Sequence, residues 1–343
     1  MESLLPVSQF NQAGSLIMYM MLVTSGLIGL SGVSNLFRPT SSLFAPTRLL
    51  LILTVFIFLA GFFLLGWFHY RIYTGLPLEI PSAMVDFLNR KLEMMNSRSP
   101  YDLPLYDQDR PPRYIIPLWL ENGKYYFWFM CYAVMALVAH FRVKSLRCLS
   151  LLHILLAVQV IILFFAVNPF QDHLKDFFAQ VEPWFSNSLS PGERFQMFMQ
   201  LYPRMIFYYN AEYMWFHPPL LFFAYGCITV TFSASVFMLS GRDLSVEKLG
   251  YDFARLGYFL LTLGMLLGYP WALKAWGDNW WWDPKICSSI MMWVIYSTYL
   301  HTRLYVNKTG MWYFSSFLGI LCFLAMVFTV LSSYFFPGEH TMT

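Results

Sequence analysis

The stretch of chain with the most distinctive chemistry runs from residue 276 to 285 and reads Trp-Gly-Asp-Asn-Trp-Trp-Trp-Asp-Pro-Lys. Indole rings are flat and amphipathic, so they suit the boundary between a membrane and water, and they also stack on other large flat rings. An aromatic belt at a membrane surface requires no fixed order of residues. The ordered string therefore favours a site for a flat ligand, and its indoles are Trp276, Trp280, Trp281 and Trp282.

Histidines supply the second kind of candidate chemistry, because a neutral imidazole is a ligand for metal ions. Of the seven in the chain, His217 precedes two prolines at the start of an apolar segment, and His340 follows the last apolar segment. His301 stands near the end of the segment that follows the tryptophan string. The indoles of the tryptophan string are called the aromatic shelf below. Two imidazoles beside this shelf can ligate one metal centre from opposite sides.

The composition places these residues in a membrane protein. The chain is 58% hydrophobic and 12% charged, whereas a soluble domain carries about 25% charged residues. No basic run suits nucleic acid. The five cysteines are scattered without any Cys-x-x-Cys, so neither a redox motif nor a zinc site is indicated.

Apolar segments predict the elements that position the candidate residues. A helix needs about 20 apolar residues to cross a bilayer core about 30 Å thick, and the sequence predicts an all-α polytopic bundle with both termini outside. Three regions are expected: 1–121, with two spans and a long external loop; 122–213, with two spans and another loop; and 214–343, with four spans. The eight predicted spans are 15–37, 49–69, 122–141, 146–167, 214–239, 252–273, 286–303 and 312–335.

The distribution of basic residues predicts the orientation. Arginine and lysine concentrate in the loops that the positive-inside rule assigns to the inner side, which are 38–48, 142–147, 240–255 and 302–311. The tryptophan string, His217 and His340 then lie outside, and His301 lies towards the inside. His140 and His153 are expected at the inner depth of His301, His69 at the outer interface, and His173 solvated in an external loop.

Both long external loops carry further expectations. The stretch from Pro81 to Met95 has the pattern of an amphipathic helix that begins near Ser82 and lies on the membrane surface. In 168–213 we expect an added module for a partner. At the end of the tryptophan string, Asp283 and Pro284 suit the cap and first turn of a helix.

The tryptophan string resembles the WWD motif of the haem-handling cytochrome c assembly proteins, in particular the CcsA (ResC) type of system II. The resemblance is specific from about residue 214 to 340, and Ile286 stands where the family has a glutamate. The residues that carry it are Trp276, Gly277, Trp280, Trp282, Asp283, Pro284, Lys285, Tyr296, Tyr299, Leu300, His301 and Arg303.

This resemblance implies that haem b, bound non-covalently as the transported ligand, is held on the outer shelf. His217 and His340 occupy the places of the family's two external haem ligands, and His301 that of its transmembrane ligand. Lys274, Lys285 and Arg204 are candidates to pair with the haem propionates. The residues expected to hold or present haem are His217, His340, His301, Trp276, Gly277, Trp280, Trp281, Trp282, Asp283 and Lys285.

The implied function is export or presentation of haem and its thioether attachment to an apocytochrome c with a Cys-x-x-Cys-His segment, as part of a cytochrome c synthase. The implied partners are a CcsB-like membrane protein and thiol-reducing proteins. The implied location is the cytoplasmic membrane of a bacterium, or a thylakoid membrane. One alternative is a haem exporter or chaperone of the CcmC or CcmF kind, which passes haem to a separate ligase. The others are a transporter of another amphipathic substrate and a quinone-reactive b-type cytochrome.

Overall fold

A computed structural model describes residues 5–98, 102–171, 173–185 and 189–338, with the backbone alone for residues 275–279. Across these residues the secondary structure is helical and contains no strand, which confirms the predicted all-α bundle. The helices are α1 (Val7–Phe37), α2 (Phe44–Gly75), α3 (Val85–Asn96), α4 (Gly123–Arg142), α5 (Leu146–Phe165), α6 (Lys175–Val181), α7 (Pro191–Arg204), α8 (Tyr213–Ser240), α9 (Leu244–Trp276), α10 (Pro284–Arg303) and α11 (Thr309–Phe335).

The long helices make the chain a polytopic membrane protein. In the described part of the chain, six helices are long and apolar enough to cross a membrane, namely α1, α2, α5, α8, α9 and α11. The other two predicted spans correspond to α4 and α10, which have 20 residues each but are less apolar. Helix α4 is largely buried between α2, α5 and α8, so its three tyrosines and its one tryptophan, Trp128, face protein. The expectation of eight crossings therefore rests on apolarity for six helices and on length for two.

Helix α8 lies at the centre of the bundle, against α4, α5, α9 and α11. Pro218 and Pro219 were expected in its first turn, but α8 begins at Tyr213 and both prolines lie inside it. Because a proline has no N–H, Pro218 leaves the carbonyl of Met214 without its helical donor. The indole Nε1 of Trp119 donates to that carbonyl instead, which allows both prolines to lie inside a helix whose start agrees with the predicted span 214–239.

The two long loops, 70–121 and 168–213, pack against each other. Helix α3 begins after a 3-10 turn at Ser82, as predicted. Its apolar residues Leu88 and Leu92 are fully buried, and the side chain of Asn89 bonds both backbone groups of Tyr106, at 2.8 and 3.0 Å. Protein therefore covers Leu88 and Leu92, whereas Phe87 and Met94 of the same helix remain exposed, and the position of this helix on the membrane surface stays a prediction.

Candidate functional site

His217 lies near the start of α8, where its ring packs against two glycines of α9. Its Nδ1 is 2.6 Å from the carbonyl oxygen of Gly264, which places the ring proton on Nδ1 and the lone pair on Nε2. A Cβ at Gly268 would lie 2.6 Å from both Cε1 and Nδ1 of His217. Gly264 and Gly268 form a small-xxx-small pair that lets two helices approach closely, and here the space is taken by the imidazole.

The tryptophan string begins at Trp276, about two helical turns beyond Gly268 along α9. Tyr269, which follows Gly268, meets the ring of Trp280 edge to face at 5.3 Å between centroids. Trp281 and Trp282 stack on one another at 4.2 Å and remain 47% and 67% exposed. The predicted site residue Gly277 opens the 3-10 turn of the string, whereas the side chain of Trp276 lies outside the described part of the chain.

Asp283 fixes the end of the string. The buried carboxylate accepts hydrogen bonds through Oδ1 from the backbone nitrogens of Lys285 and Ile286, at 2.9 and 3.3 Å, and Pro284 occupies the first position of α10. This confirms the predicted helix cap. A Cβ at Gly338 would lie 2.5 Å from Oδ2 of Asp283, so the chain after α11 returns to the string. His340 lies outside the described residues, two positions beyond this contact.

The three basic residues proposed for the site from the sequence, Lys274, Lys285 and Arg204, have different surroundings. Lys285 is half-buried beside the capped end of α10, and Lys274 is exposed, with Nζ 5.4 Å from the ring centre of Tyr213. Arg204 lies over the ring of Tyr208, at 5.7 Å. The structure adds Lys124, at the start of α4, which is close enough to Lys285 for their charges to interact. Sequence analysis missed Lys124 because nothing in its local sequence connects it with the tryptophan string.

The candidate site thus has exposed stacked indoles, an oriented imidazole and lysine side chains at both ends of the tryptophan string. Within the described residues, no group of three or more histidines, cysteines and acids could hold a metal ion. An oriented imidazole supplies a single axial bond to a metal that is already held by a macrocycle. The arrangement therefore fits a flat, anionic, iron-containing ring better than a bare ion.

His301 stands at the other end of α10 and is exposed on the surface of the bundle. Its Nδ1 lies 2.8 Å from the carbonyl oxygen of Ser297 in the same helix, which leaves Nε2 directed away from that bond. Two residues later the side chain of Arg303 is buried and forms an ion pair with Glu247 of α9. The end of α10 is therefore anchored by Arg303, and His301 is presented outward.

His140 and His153 form a buried pair between α4 and α5. Nδ1 of His140 lies 3.4 Å from Nε2 of His153, and the rings stack with centroids 5.5 Å apart. The ring of Phe44 covers His140, with 4.2 Å between centroids. These imidazoles were expected at the depth of His301, and they contact each other, whereas His301 bonds within its own helix.

His69 and His173 form a second buried pair, which corrects the expectation that His173 is solvated. Their Nε2 atoms are 2.7 Å apart, and Nδ1 of His69 lies 2.8 Å from the carbonyl oxygen of Ile116. The carbonyl holds the His69 proton on Nδ1, so Nε2–H of His173 donates to His69. Both rings are largely buried, because the loop after α5 folds back over the end of α2.

The buried position of His173 predicts a pH-dependent stability. Burial, and then the neighbouring His69, lower the pKa of His173 well below its usual value, so the folded protein keeps this imidazole neutral. The unfolded chain takes up a proton as the pH falls below about 6.5, so stability falls with it, by at most about 1.4 kcal/mol per pH unit. We expect the melting temperature in detergent to fall between pH 7.5 and 5.

The variant His173→Gln should reduce the slope of melting temperature against pH, since it removes the proton-binding group from the unfolded state. The matched control His301→Gln removes an exposed imidazole and should leave the slope unchanged. Equal slopes for the wild type and His173→Gln would contradict the prediction.

Comparisons with known proteins identify similar sequences. A model of the family described as "Cytochrome C assembly protein" matches residues 121–340. A "Cytochrome c biogenesis protein CcsA" of Cyanidium caldarium is 38% identical over 84 residues, which are 24% of this chain and 28% of that protein. The CcsA of Synechococcus sp. (strain RCC307) is 42% identical over 76 residues, 22% of this chain and 24% of that protein. The aligned stretches therefore span less than a third of these relatives' own length.

A solved structure shares the fold. The "Cytochrome c Heme Lyase CcmF" superposes with a TM-score of 0.61, over 97% of this chain and 48% of that chain, at 19% sequence identity. At this identity the likeness concerns the fold alone, and it extends beyond the family match to the N-terminal helices.

Proposed function

Because the chain belongs to the cytochrome c assembly protein family, as the tryptophan string predicted, we propose that it acts in cytochrome c maturation. It presents haem b at the outer face of the membrane and promotes thioether attachment to an apocytochrome c. The observations that carry this proposal are the stacked, exposed rings of Trp281 and Trp282, the contact of Trp280 with Tyr269, and the imidazole of His217 held by Gly264 of the same helix as Tyr269.

In this proposal haem is the substrate and the protein orients it. The indoles of the string hold one face of the ring, His217 and His340 ligate the iron, and Lys285 pairs with a propionate. Trp276 and Gly277 complete the shelf, and Asp283 keeps the start of α10 in place. Each thiol of the Cys-x-x-Cys-His segment adds across a vinyl group: sulfur bonds to one vinyl carbon and the thiol proton passes to the other. The rate gain comes mainly from orientation, and the histidine of the product then displaces a protein ligand.

The inner end of the pathway involves a partner. His301 faces outward from the bundle, where an imidazole of a CcsB-like membrane protein can complete the ligation of a passing haem iron. The proposed location is the cytoplasmic membrane of a bacterium or a thylakoid membrane, with the tryptophan string on the outer side. Thiol-reducing proteins keep the apocytochrome cysteines ready for addition.

Reconstitution tests the proposal. The chain is expressed with a CcsB-like partner and an apocytochrome c in a host that lacks its own maturation genes, and covalent haem is measured by the spectrum of the denatured cytochrome. We expect holocytochrome only when both membrane proteins are present. If the purified complex carries bis-histidine haem but yields no holocytochrome, the chain is a haem exporter or chaperone. If it carries no haem, the proposal fails.

The inner site gives a separate prediction. If haem passes His301 on its way outward, His301→Ala should lower the haem content of the outer site several-fold while leaving its ligands intact. Added imidazole should restore part of the haem, because the truncated side chain leaves room for it. His140→Ala and His153→Ala are the matched controls and should matter little if the second ligand comes from the partner. Normal cytochrome maturation with His301→Ala would show that haem takes another route.

A further inference from the structure

Three hydroxyl groups lie buried where α8, α9, α10 and α11 meet. They belong to Ser235 of α8 and to Tyr296 and Tyr299 of α10, and all three side chains are fully buried. None of the three oxygens has a hydrogen-bond partner among the residues that the structure describes. A buried hydroxyl without a partner is costly, so such groups are nearly always satisfied by protein or by ordered water.

Glycines of the two neighbouring helices show where these groups lie. A Cβ at Gly319 of α11 would meet the hydroxyl of Ser235 and, at 3.2 Å, the ring of Tyr299. A Cβ at Gly250 of α9 would lie 3.6 Å from the hydroxyl oxygen of Tyr299. Because that is an ordinary contact distance, the missing side chain at Gly250 leaves space beside this oxygen. We call the place where these hydroxyls meet the glycines the polar seam.

The hydroxyl of Tyr296 lies one helical turn away in the same seam. It is 2.7 Å from the position that a Cβ at Gly257 of α9 would take. Nearby on α8, the hydroxyl of Thr231 donates to the backbone carbonyls of Cys227 and Gly250, at 3.0 and 3.3 Å. The oxygen of Thr231 therefore keeps lone pairs for a further donor.

Each tyrosine hydroxyl faces a hydroxyl of α8. Tyr296 faces Thr231 and Tyr299 faces Ser235, but neither tyrosine reaches the geometry of a direct hydrogen bond with any described residue. Polar groups that face each other beyond direct reach are often bridged by water. Two such pairs on successive turns indicate more than one bridging position.

The polar seam ends at the ion pair of Arg303 and Glu247. The guanidinium carbon of Arg303 lies 5.9 Å from the ring centre of Tyr299. Nε of Arg303 has no hydrogen-bond partner within the described part of the chain. The side chain of Glu247 is 16% exposed, against 1% for Arg303, so water can enter the seam from the side of Glu247.

We propose that the polar seam binds a short chain of water molecules, which bridges Tyr296 to Thr231 and Tyr299 to Ser235 and continues to the ion pair. Each water then has the two to four polar partners that a buried water requires. The water completes the hydrogen bonding of α10 to α8, and it gives this part of the bundle a hydrated interior. This inference goes beyond the proposed function and does not depend on it.

Hydroxyl-radical labelling of the full chain in lipid nanodiscs tests the seam, because radicals that X-rays form in a bound water attack the side chain beside it. Modified residues are located by mass spectrometry of peptides. Tyr126 and Tyr132 are the matched controls, since they are equally buried but donate to backbone carbonyl oxygens, at 2.9 and 2.8 Å. We expect Tyr296 and Tyr299 to be modified at least about tenfold faster than the controls.

A serine variant tests the bridge between the helices. Ser235→Ala removes one partner of the water beside Tyr299, so modification of Tyr299 should become several-fold slower while that of Tyr126 stays the same. The matched control is Ser316→Ala, which removes a buried hydroxyl of α11 that bonds the carbonyl of Trp312 in its own helix, at 2.7 Å. This control should leave the labelling of both tyrosines as in the wild type.

Each other outcome overturns the inference. If Tyr296 and Tyr299 are modified as slowly as the controls, the seam is dry. If all four tyrosines are modified equally fast, the whole bundle opens to water and no specific site exists. If Ser235→Ala leaves the labelling of Tyr299 unchanged, no water bridges α8 and α10. These readouts need neither haem nor a partner protein, so failure of the seam and failure of the proposed function are distinguishable.

Discussion

Replacement of His217 with alanine should lower haem retention at the outer site by at least about tenfold and stop cytochrome maturation. The imidazole is oriented before haem arrives, since Nδ1 is held by the carbonyl of Gly264. Loss of an oriented ligand costs more than the ten- to hundredfold change that follows loss of a supporting contact. Haem content is measured from the spectrum of the purified complex, and added imidazole should restore part of it.

A second variant, Gly268→Ala, tests the packing of the His217 ring against Gly268 rather than the ligand itself. In Gly268→Ala the new Cβ would lie 2.6 Å from two atoms of the His217 ring, so the imidazole must move although it is still present. We expect reduced haem content that imidazole restores poorly, because the site remains filled by the displaced ring. Gly26→Ala in α1 is the control, since its Cβ would meet nothing within 4 Å. Full haem and activity in His217→Ala would end the assignment of His217 as a ligand.

Sequence patterns predicted the helix ends that depend only on neighbouring residues. The Asp-Pro pair predicted the cap of α10, because a cap needs only the side chain and the next few backbone nitrogens. The start of α3 near Ser82 followed in the same way from its periodicity. The burial of His173 did not follow, because it depends on the loop after α5 folding back onto α2, and no pattern within the loop reveals that contact.

The same difference between local interactions and contacts of distant segments applies to the candidate site. The tryptophan string and His217 were proposed as site residues from residue types and order. Lys124 was not, since only the packing of α4 and α10 against the end of α11 brings it near Lys285. The position of Pro218 inside α8 was also missed, because the donor that satisfies the carbonyl freed by Pro218 is Trp119, far away in the sequence.

Replacement of Arg303 with methionine should lower the free energy of unfolding by about 3–5 kcal/mol, more than any other variant proposed for this chain. The reason is that the largely buried carboxylate of Glu247 loses its partner. The side chain of Arg303 is 1% exposed and that of its ion-pair partner Glu247 is 16% exposed. Nη1 of Arg303 also donates to the hydroxyl of Ser315, at 3.2 Å. Arg142 and Asp252 supply a matched control, with N–O at 3.2 Å but side chains 54% and 35% exposed, and Arg142→Met should cost less than about 1 kcal/mol.

The double variant Arg303→Met with Glu247→Leu separates charge from packing. Removal of both charges leaves an apolar pair of similar volume, which is often close to neutral, so we expect most of the lost stability to return in unfolding experiments in micelles. A loss in Arg303→Met no larger than in Arg142→Met would contradict the prediction. His301 lies two residues before Arg303 on the same helix, so Arg303→Met should also reduce haem passage at His301. If the ion pair serves only to anchor the end of α10, the double variant should restore that passage.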